Sequence, residues 1–247
     1  MKIISFNIRS MDDDNGNSIA ERAPRLWRIV SSYDPDLIGL QEFTPKWEPQ
    51  YARFFGKDYE IFNEYRCRTG WVESAPILWK RDRFTLLEKR SFWYSDTPDV
   101  ESGGYDTLKH NRHCLVARLR ENGTGKTFTF LNTHFGFGNE NQVKSARILK
   151  EKTDALEGPF FITGDFNAAP STDAYRYLIS FFRDVNADDL VSPTFHGYDP
   201  AGTQTAHIDY CFVNGLVSSK NVKIVTDTVN GAFPSDHFGL YAELGLL

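Results

Sequence analysis

The sequence has few cysteines and no excess of positive charge. Its three cysteines, Cys67, Cys114 and Cys211, are odd in number and scattered over 247 residues, so they indicate neither a disulfide framework nor a zinc site. Lys and Arg number 28 against 33 Asp and Glu, which gives a formal net charge of −5. A dedicated nucleic-acid-binding protein shows the opposite excess, although a local basic patch is compatible with this balance.

Long apolar runs, linkers and internal repeats are also absent. No run approaches the length of a transmembrane helix, and residues 2–8 already have the pattern of a strand, which leaves no room for a signal peptide. We therefore expect a cytoplasmic protein without a membrane span. Because no Ser-, Pro- or Gly-rich segment divides a chain that is 40% hydrophobic, we predict one domain over residues 1–247 and a monomer.

Two common catalytic signatures are missing. The Gly-x-Ser-x-Gly elbow of serine hydrolases does not occur, and neither does the phosphate-binding loop Gly-x-x-x-x-Gly-Lys-Ser/Thr. The chemistry therefore has to come from other polar residues.

The most informative segment surrounds Asp165. Residues 160–163 form a short apolar run bounded by a Gly-Pro pair, which predicts a buried strand. Asp165 and Asn167 follow it at i and i+2, positions that point to the same side of an extended chain. A helix is predicted over residues 172–182, with Ser171 as its N-cap. An Asx turn that happens to hold two polar residues is the alternative interpretation.

Similar polar residues lie at the ends of other predicted strands, where apolar, β-rich segments give way to a carboxylate, an amide or an imidazole. The further candidate site residues are Asn7, Glu42, Arg112, His134, Asp209, Asp236 and His237. Asp236 and His237 are adjacent, so their side chains diverge on a strand. Asp209 lies among apolar neighbours and needs a partner. We therefore predict that Asp209 pairs with His237.

The chemistry of this set indicates a hard metal ion. It contains four carboxylates, two amides and two histidines but no cysteine. Mg²⁺ prefers a few oxygen ligands and shares the phosphate oxygens of a substrate, whereas a zinc hydrolase has more closely spaced histidines. We predict Mg²⁺, with Mn²⁺ as the alternative, and a phosphate-ester substrate.

Arg112 lies where a polar loop over residues 96–111 enters the next predicted strand. A guanidinium group at that point could hold a phosphate with its planar fork. A surface arginine paired with an acid is an equally weighted alternative.

Six short motifs that contain these residues occur in the order typical of a known superfamily. They are Ser5-Phe6-Asn7, Gln41-Glu42, Asn132-Thr133-His134-Phe135, Gly164-Asp165-Phe166-Asn167, Ile208-Asp209-Tyr210 and Ser235-Asp236-His237. Together they resemble the motifs of the endonuclease/exonuclease/phosphatase superfamily, the DNase I-like fold, over residues 3–241. Residues 7–9 and 194–197 additionally resemble a bacterial branch that is related to poly(A) deadenylases.

The resemblance implies an α/β fold, a four-layer sandwich in which two packed, mostly antiparallel β-sheets are flanked by helices. The implied catalytic residues are Asp165, His237, His134, Asn167, Asp209 and Asp236, the implied substrate-binding residues are Arg112, Asn167 and His134, and the implied metal ligands are Glu42, Asn7 and Asp236. In this scheme Asp165 deprotonates the attacking water, and His134 and His237 stabilise the phosphoryl oxygens as imidazolium groups.

The sequence predicts one function and leaves two alternatives open. The first is a Mg²⁺-dependent phosphodiesterase acting on nucleic acid or a nucleotide, which basic residues such as Arg66 and Lys109 in neighbouring loops support. The second is a phosphomonoesterase acting on a small phosphorylated sugar, inositol or lipid headgroup. The acidic balance slightly favours a small substrate, since long nucleic acid rewards many phosphate contacts. The third is a catalytically inactive binding module, which the intact polar set argues against.

Overall fold

The computed structural model describes residues 1–247, which form two six-stranded β-sheets with helices outside them. The strands are β1 (Lys2–Asn7), β2 (Leu37–Gln41), β3 (Tyr59–Phe62), β4 (Ile77–Lys80), β5 (Phe84–Trp93), β6 (His113–Glu121), β7 (Thr127–His134), β8 (Phe160–Asp165), β9 (Arg183–Asp184), β10 (Asp209–Val213), β11 (Val217–Val225) and β12 (Gly239–Leu246). The helices are α1 (Ile19–Tyr33), α2 (Glu48–Phe54), α3 (Asn139–Asp154) and α4 (Asp173–Ile179), and a 3₁₀ turn (Pro45–Trp47) precedes α2.

Both sheets follow the same plan, with one parallel pair at the centre and antiparallel pairs on either side. The first sheet has the order β11-β12-β1-β2-β4-β3, and the second has the order β5-β6-β7-β8-β10-β9. The predicted sandwich of mostly antiparallel sheets is thereby confirmed, since only β1/β2 and β7/β8 are parallel.

The two parallel pairs determine where the polar strand ends meet. Asn7 at the end of β1 lies opposite Gln41, and His134 at the end of β7 lies opposite Asp165. The connections through α1 and α3 return the chain so that both strands of each pair point the same way. Their carboxyl ends therefore lie at one edge of each sheet, which is where open α/β sheets present their sites.

Apolar side chains fill the space between the sheets and the space beneath the helices. Between the sheets, the rings of Phe130 and Phe161 stack with their centroids 4.7 Å apart. Outside the first sheet, α1 buries an apolar face that includes Leu26 and Val30. Its N-terminus is closed by a reciprocal capping box between Ser18 and Glu21. Burial on both faces explains why the central strands are almost continuously apolar in sequence.

One polar side chain joins the two sheets just below the strand ends. Asn132 of β7 is completely buried. Its Nδ2 donates to the carbonyls of Leu40 at 2.7 Å and Pro76 at 2.9 Å, and its Oδ1 accepts from Gln41 Nε2 and Thr163 Oγ1, both at 2.8 Å. The full hydrogen-bonding capacity of the amide is used, so Asn132 fixes the relative position of both sheets.

The helix after β8 differs from its prediction. It covers Asp173–Ile179 rather than residues 172–182, and its cap is Thr172 rather than Ser171. Thr172 has the extended backbone of a cap, and its side chain accepts a hydrogen bond from the N–H of Tyr175.

None of the helices has the length and apolar character that a membrane crossing requires.

Candidate active site

A cleft of about 880 Å³ opens at the edge where the parallel strands end. Most of the predicted site residues line it: Glu42, Arg112, His134, Asp165, Asn167, Asp236 and His237. Asn7 and Asp209 lie immediately behind them and contact Asp165 and His237, respectively. The structure therefore brings all nine predicted residues together from separate parts of the chain.

Asp165 is buried at the base of the cleft, on the last position of β8. Asn7 Nδ2 donates to its Oδ2 at 2.9 Å, and the backbone N–H of Asn167 donates to its Oδ1, also at 2.9 Å. Burial, together with the nearby carboxylate of Asp209, raises the pKa of Asp165 to about 7 despite these donors. A carboxylate with such a pKa can take up and release a proton near neutral pH.

His237 is held between two carboxylates. Its Nδ1 lies 2.9 Å from Asp209 Oδ2, and its Nε2 lies 3.8 Å from Asp165 Oδ2. Burial opposes the charged ring, but Asp209 and then Asp165 outweigh it and raise the pKa of His237 to about 10. The ring is therefore an imidazolium at neutral pH, and the predicted contact between Asp209 and His237 is present.

These three residues lie close enough to suggest a metal site, because Asp165, Asp209 and His237 offer ligand atoms within 4.8 Å of one another. The imidazolium of His237 has no free lone pair, however, so a metal ion could bind the ring only by displacing its proton. The cluster is better described as a charged hydrogen-bonded chain in which Asp209 orients the ring toward Asp165.

His134 differs from His237 in its charge. Burial, followed by the guanidinium groups of Arg112 and Arg66, holds the pKa of His134 well below its usual range. The Nδ2 of Asn167 donates to the carbonyl of Phe135 at 2.9 Å and lies 3.1 Å from His134 Nε2. Since that amide nitrogen is a donor, Nε2 accepts and the proton of the neutral ring lies on Nδ1. Although Asp165 Oδ2 lies 3.5 Å from Nε2, the lowered pKa favours a neutral His134 at pH 7 rather than the imidazolium expected from the sequence.

Glu42 presents the clearest oxygen ligand for a divalent cation. Its Oε2 accepts the backbone N–H and the hydroxyl of Ser10, both at 2.7 Å. These hydrogen bonds lower the pKa of Glu42 although burial acts in the opposite direction. The residue has positive φ, 63°, directly after β2, which turns the side chain toward the cleft. An ionised carboxylate held by fixed donors fits the ligand preference of Mg²⁺.

Asn7 faces the two carboxylates with its amide nitrogen. Nδ2 lies 3.1 Å from Glu42 Oε1 and 2.9 Å from Asp165 Oδ2, while Oδ1 accepts the N–H of Arg9 at 3.0 Å. Direct metal ligation by Asn7 would require its amide to turn over. In the present arrangement Asn7 links the Glu42 and Asp165 carboxylates.

Asp236 is a second carboxylate beside Glu42 in the cleft. Its Oδ2 lies 3.7 Å from Arg9 Nε, and Arg9 in turn forms two hydrogen bonds with Asp13, each at 2.9 Å. Burial raises the pKa of Asp236, and the Glu42 charge adds to this. A cation placed between these two carboxylates would relieve their repulsion, so the donor set fits a hard divalent metal.

Arg112 is paired with an acid, as one interpretation of its sequence position held, but it is buried and not on the surface. It is 4% exposed, and its Nε donates to Asp106 Oδ2 at 2.8 Å. It also lines the cleft, where its Nη1 is buried without any hydrogen-bond partner. The arginine is therefore paired with an acid along one edge while the other part of the guanidinium group is free to hold a ligand oxygen.

Some residues of the cleft were not identified from the sequence as site residues. Ser10 holds Glu42, and Glu73 forms an ion pair with Arg66 at 2.8 Å. Arg22, which is completely buried, donates to backbone carbonyls of residues 8, 9, 11 and 17 and so shapes the loop that carries Ser10. In the sequence, this role is indicated only by the position of an arginine on the apolar face of α1.

An acidic loop over residues 12–17 lies at the mouth of the cleft. Four of its residues line the cleft: Asp13, Asp14, Asn15 and Asn17. Asp13 is drawn there by its ion pair with Arg9. The cleft therefore has an acidic side at its entrance and a basic side near Arg112.

Comparisons with known proteins agree with this geometry. The model of the Endonuclease/Exonuclease/phosphatase family matches residues 4–237. The solved structure of a mannosyl-6-phosphatase from Bacteroides thetaiotaomicron is 28% identical, covers 100% of both chains and superposes with a TM-score of 0.88.

Two curated relatives are longer than this chain. Protein angel from Drosophila melanogaster is 24% identical over 83% of this chain and 63% of its own length. The CCR4-Not complex 3'-5'-exoribonuclease subunit Ccr4 from Saccharomyces cerevisiae is 23% identical over 90% of this chain and 34% of its own length. The match thus spans less than two thirds of either relative.

The family match covers every strand-end residue of the cleft from Asn7 to His237. The chain belongs to the endonuclease/exonuclease/phosphatase family, whose members are phosphoester hydrolases, and it has the DNase I-like fold of that family.

Proposed function

We propose that this protein is a Mg²⁺-dependent phosphoesterase in which Asp165 activates the attacking water. The observation that carries the proposal is the position of Asp165, buried in the cleft with a pKa near 7 and 3.8 Å from the imidazolium of His237. Phosphoryl transfer to water requires a base and a fixed positive charge close to each other.

The cleft contains a base that can accept the proton of the attacking water. The water oxygen forms a bond to phosphorus and gives its proton to Asp165, while the bond between phosphorus and the ester oxygen breaks. The leaving oxygen takes up a proton from solvent and departs as an alcohol, and Asp165 returns its proton to solvent. His237 Nε2 donates a hydrogen bond to a phosphoryl oxygen and stabilises its negative charge, while Asn167 Nδ2 keeps its contacts with Phe135 and His134.

Glu42 and Asp236 would hold the metal, with Asn7 positioning the Glu42 carboxylate. A bound Mg²⁺ supplies positive charge that neutralises the phosphate and orients it. Mn²⁺, which accepts the same hard oxygen ligands, is the alternative ion.

The shape and charge of the cleft favour a small phosphomonoester, the second of the functions left open by the sequence. A volume of about 880 Å³ is typical of small-molecule sites. Asp13 and Asp14 at its entrance would repel the backbone of a long polyanion. The similarity over both full chains to a mannosyl-6-phosphatase supports a phosphorylated sugar.

A phosphodiester of nucleic acid or a nucleotide is the second candidate. Trp71 and Phe137 are both 43% exposed and line the cleft, where their rings could stack on a base. The similarity to the Ccr4 exoribonuclease subunit supports this candidate.

The test is hydrolysis of two substrate sets in Mg²⁺, with Asp165→Asn as the blank. One set contains sugar phosphates, inositol phosphates and mononucleotides, and the other contains single-stranded RNA, DNA and an aryl diester. We expect the wild-type protein to release phosphate from monoesters. The variant should release none, although it keeps its fold and binds Mg²⁺. Wild-type activity in Asp165→Asn would refute the assigned base, and a protein inactive on both sets without metal binding would be a binding module.

A further inference from the structure

The basic side of the cleft contains two buried arginines rather than one. Arg66 is 3% exposed and Arg112 is 4% exposed, and both line the cleft. Each guanidinium group is paired with one buried carboxylate, Arg66 with Glu73 and Arg112 with Asp106, both at 2.8 Å. The pairs come from different loops, so their proximity was not visible in the sequence.

The loop that carries Arg66 is folded around its guanidinium group. Arg66 Nη1 meets Glu73, and Nε donates to the carbonyl of Trp71 at 3.2 Å. The backbone N–H of Arg66 donates to the carbonyl of Glu73 at 2.8 Å, and the indole N–H of Trp71 donates to the Glu73 carboxylate. These contacts hold the guanidinium group in one place without requiring a ligand.

Neither arginine has its donors fully used. Arg112 Nη1 is buried without a partner, which is costly for a charged donor. The ion pair and hydrogen bond of Arg66 engage Nη1 and Nε and leave Nη2 without a partner, in a residue that lines the cleft. An anion with several oxygens would satisfy the donors of both groups.

The two arginines also repel each other. The pKa of Arg66 is lowered by burial, and the charge of Arg112 lowers it further while Glu73 opposes the effect. The same two charges help to keep His134 neutral. When a multiply charged anion lies between two buried cations, its attraction to both offsets their repulsion.

We propose that Arg66 and Arg112 form a two-arginine clamp that selects a terminal, doubly charged phosphate over the singly charged phosphate of a diester. A phosphomonoester carries a charge of about −1.5 to −2 at neutral pH, and it has one more free oxygen than a diester. Arg66 is the specificity-determining residue of this clamp, and Glu73 positions it. This inference rests on the proposed function and names the substrate class.

The experiment compares two substrates that share one leaving group, 4-nitrophenyl phosphate and methyl 4-nitrophenyl phosphate, in saturating Mg²⁺. The variant is Arg66→Met. Loss of hydrogen bonds to a charged group predicts a fall of ~10- to 100-fold in kcat/KM for the monoester, mostly through KM. The diester should change much less, so the ratio of the two kcat/KM values should fall.

The matched control is Arg68→Met, which removes the same charge from the same loop at a side chain that is 93% exposed. It should leave both substrates unchanged. Because Arg66→Met leaves Glu73 buried without its partner, the double variant Arg66→Met/Glu73→Gln removes both charges and keeps the test valid if the single variant does not fold. It should show the same fall in the ratio.

Binding of inorganic phosphate to the metal-free protein, measured by calorimetry, separates the clamp from catalysis. We expect weaker binding in the double variant and unchanged binding in Arg68→Met, whose side chain is exposed. Equal losses on both substrates, or unchanged phosphate binding in the double variant, would overturn the clamp. Suppose that the double variant binds phosphate more weakly, but the wild-type protein hydrolyses neither ester. The proposed function would then be wrong, while the anion site would remain.

Discussion

Ser10 donates both its backbone N–H and its hydroxyl to the same oxygen of Glu42, each at 2.7 Å. The other oxygen of Glu42 accepts from Asn7 at 3.1 Å. The carboxylate is therefore fixed from two sides before any metal binds. Arg22 holds the loop on which Ser10 lies, through hydrogen bonds to the carbonyls of Arg9 and Met11, so a buried residue of α1 acts on the site through the backbone.

Ser10→Ala removes one of the two Ser10 donors and keeps the other. Partners of a metal ligand typically contribute ~10- to 100-fold in metal affinity or activity, and since one donor remains we expect the lower end of this range. The Mg²⁺ concentration that gives half-maximal activity should rise by ~10-fold. Ser218→Ala, at an exposed position of β11, is the control. An unchanged Mg²⁺ dependence in Ser10→Ala would show that Glu42 does not bind the metal.

Asp209→Asn should separate orientation from binding. The Asp209 carboxylate holds His237 Nδ1 at 2.9 Å, and an amide in its place neither fixes the ring nor balances its charge. We expect kcat to fall by ~10²- to 10⁴-fold with little change in KM, because Asp209 does not line the cleft. Steady-state kinetics together with circular dichroism check this. A variant that is folded and has near-normal kcat would contradict the role assigned to Asp209.

The local pattern of the sequence was sufficient for the residues at strand ends. Asp165 and Asn167 follow an apolar run directly, and the cost of burying Asp209 was enough to predict its contact with His237. Such predictions succeed because the reason for each residue lies within a few positions of it, or in one strong electrostatic requirement.

The residues that were missed depend on how irregular loops fold. Glu73 has no local signature, because its partners Arg66 and Trp71 are brought to it by the fold of their loop. The neutral state of His134 could not be predicted either, since burial and the charges of Arg66 and Arg112 determine it. Charge states in a site follow from the assembled structure and not from residue type.

Asn132 should contribute strongly to the stability of the fold. Asn132→Ala leaves two carbonyls and the donors of Gln41 and Thr163 without their partner between the sheets. Buried groups that lose their partners cost 1–3 kcal/mol each at most sites, so we expect a total loss of ~3 kcal/mol or more in the free energy of unfolding. Asn139→Ala, at an exposed residue of α3, is the control. Urea denaturation that gives the same midpoint for both variants would contradict this role.

His113 should make stability depend on pH. The ring is buried, and its Nε2 lies 2.8 Å from the carbonyl of Glu64. Burial, with smaller contributions from Arg66 and Arg112, lowers the pKa of His113 from 6.5 to about 4. Below pH 6.5 the unfolded chain therefore binds a proton that the folded protein excludes, so stability is complete above that pH and is lost as the pH falls toward 4.

His113→Gln tests this directly, because a glutamine amide can donate to the Glu64 carbonyl without titrating. Each pH unit in the window corresponds to ~1.4 kcal/mol, so wild-type stability should fall by ~2 kcal/mol more than that of the variant between pH 7 and pH 5. His196, whose pKa is also lowered to about 4, contributes equally to both proteins and cancels in the comparison. Urea denaturation at both pH values measures the difference. Parallel losses would mean that the folded protein accepts a proton on His113, which would contradict the lowered pKa of the buried ring.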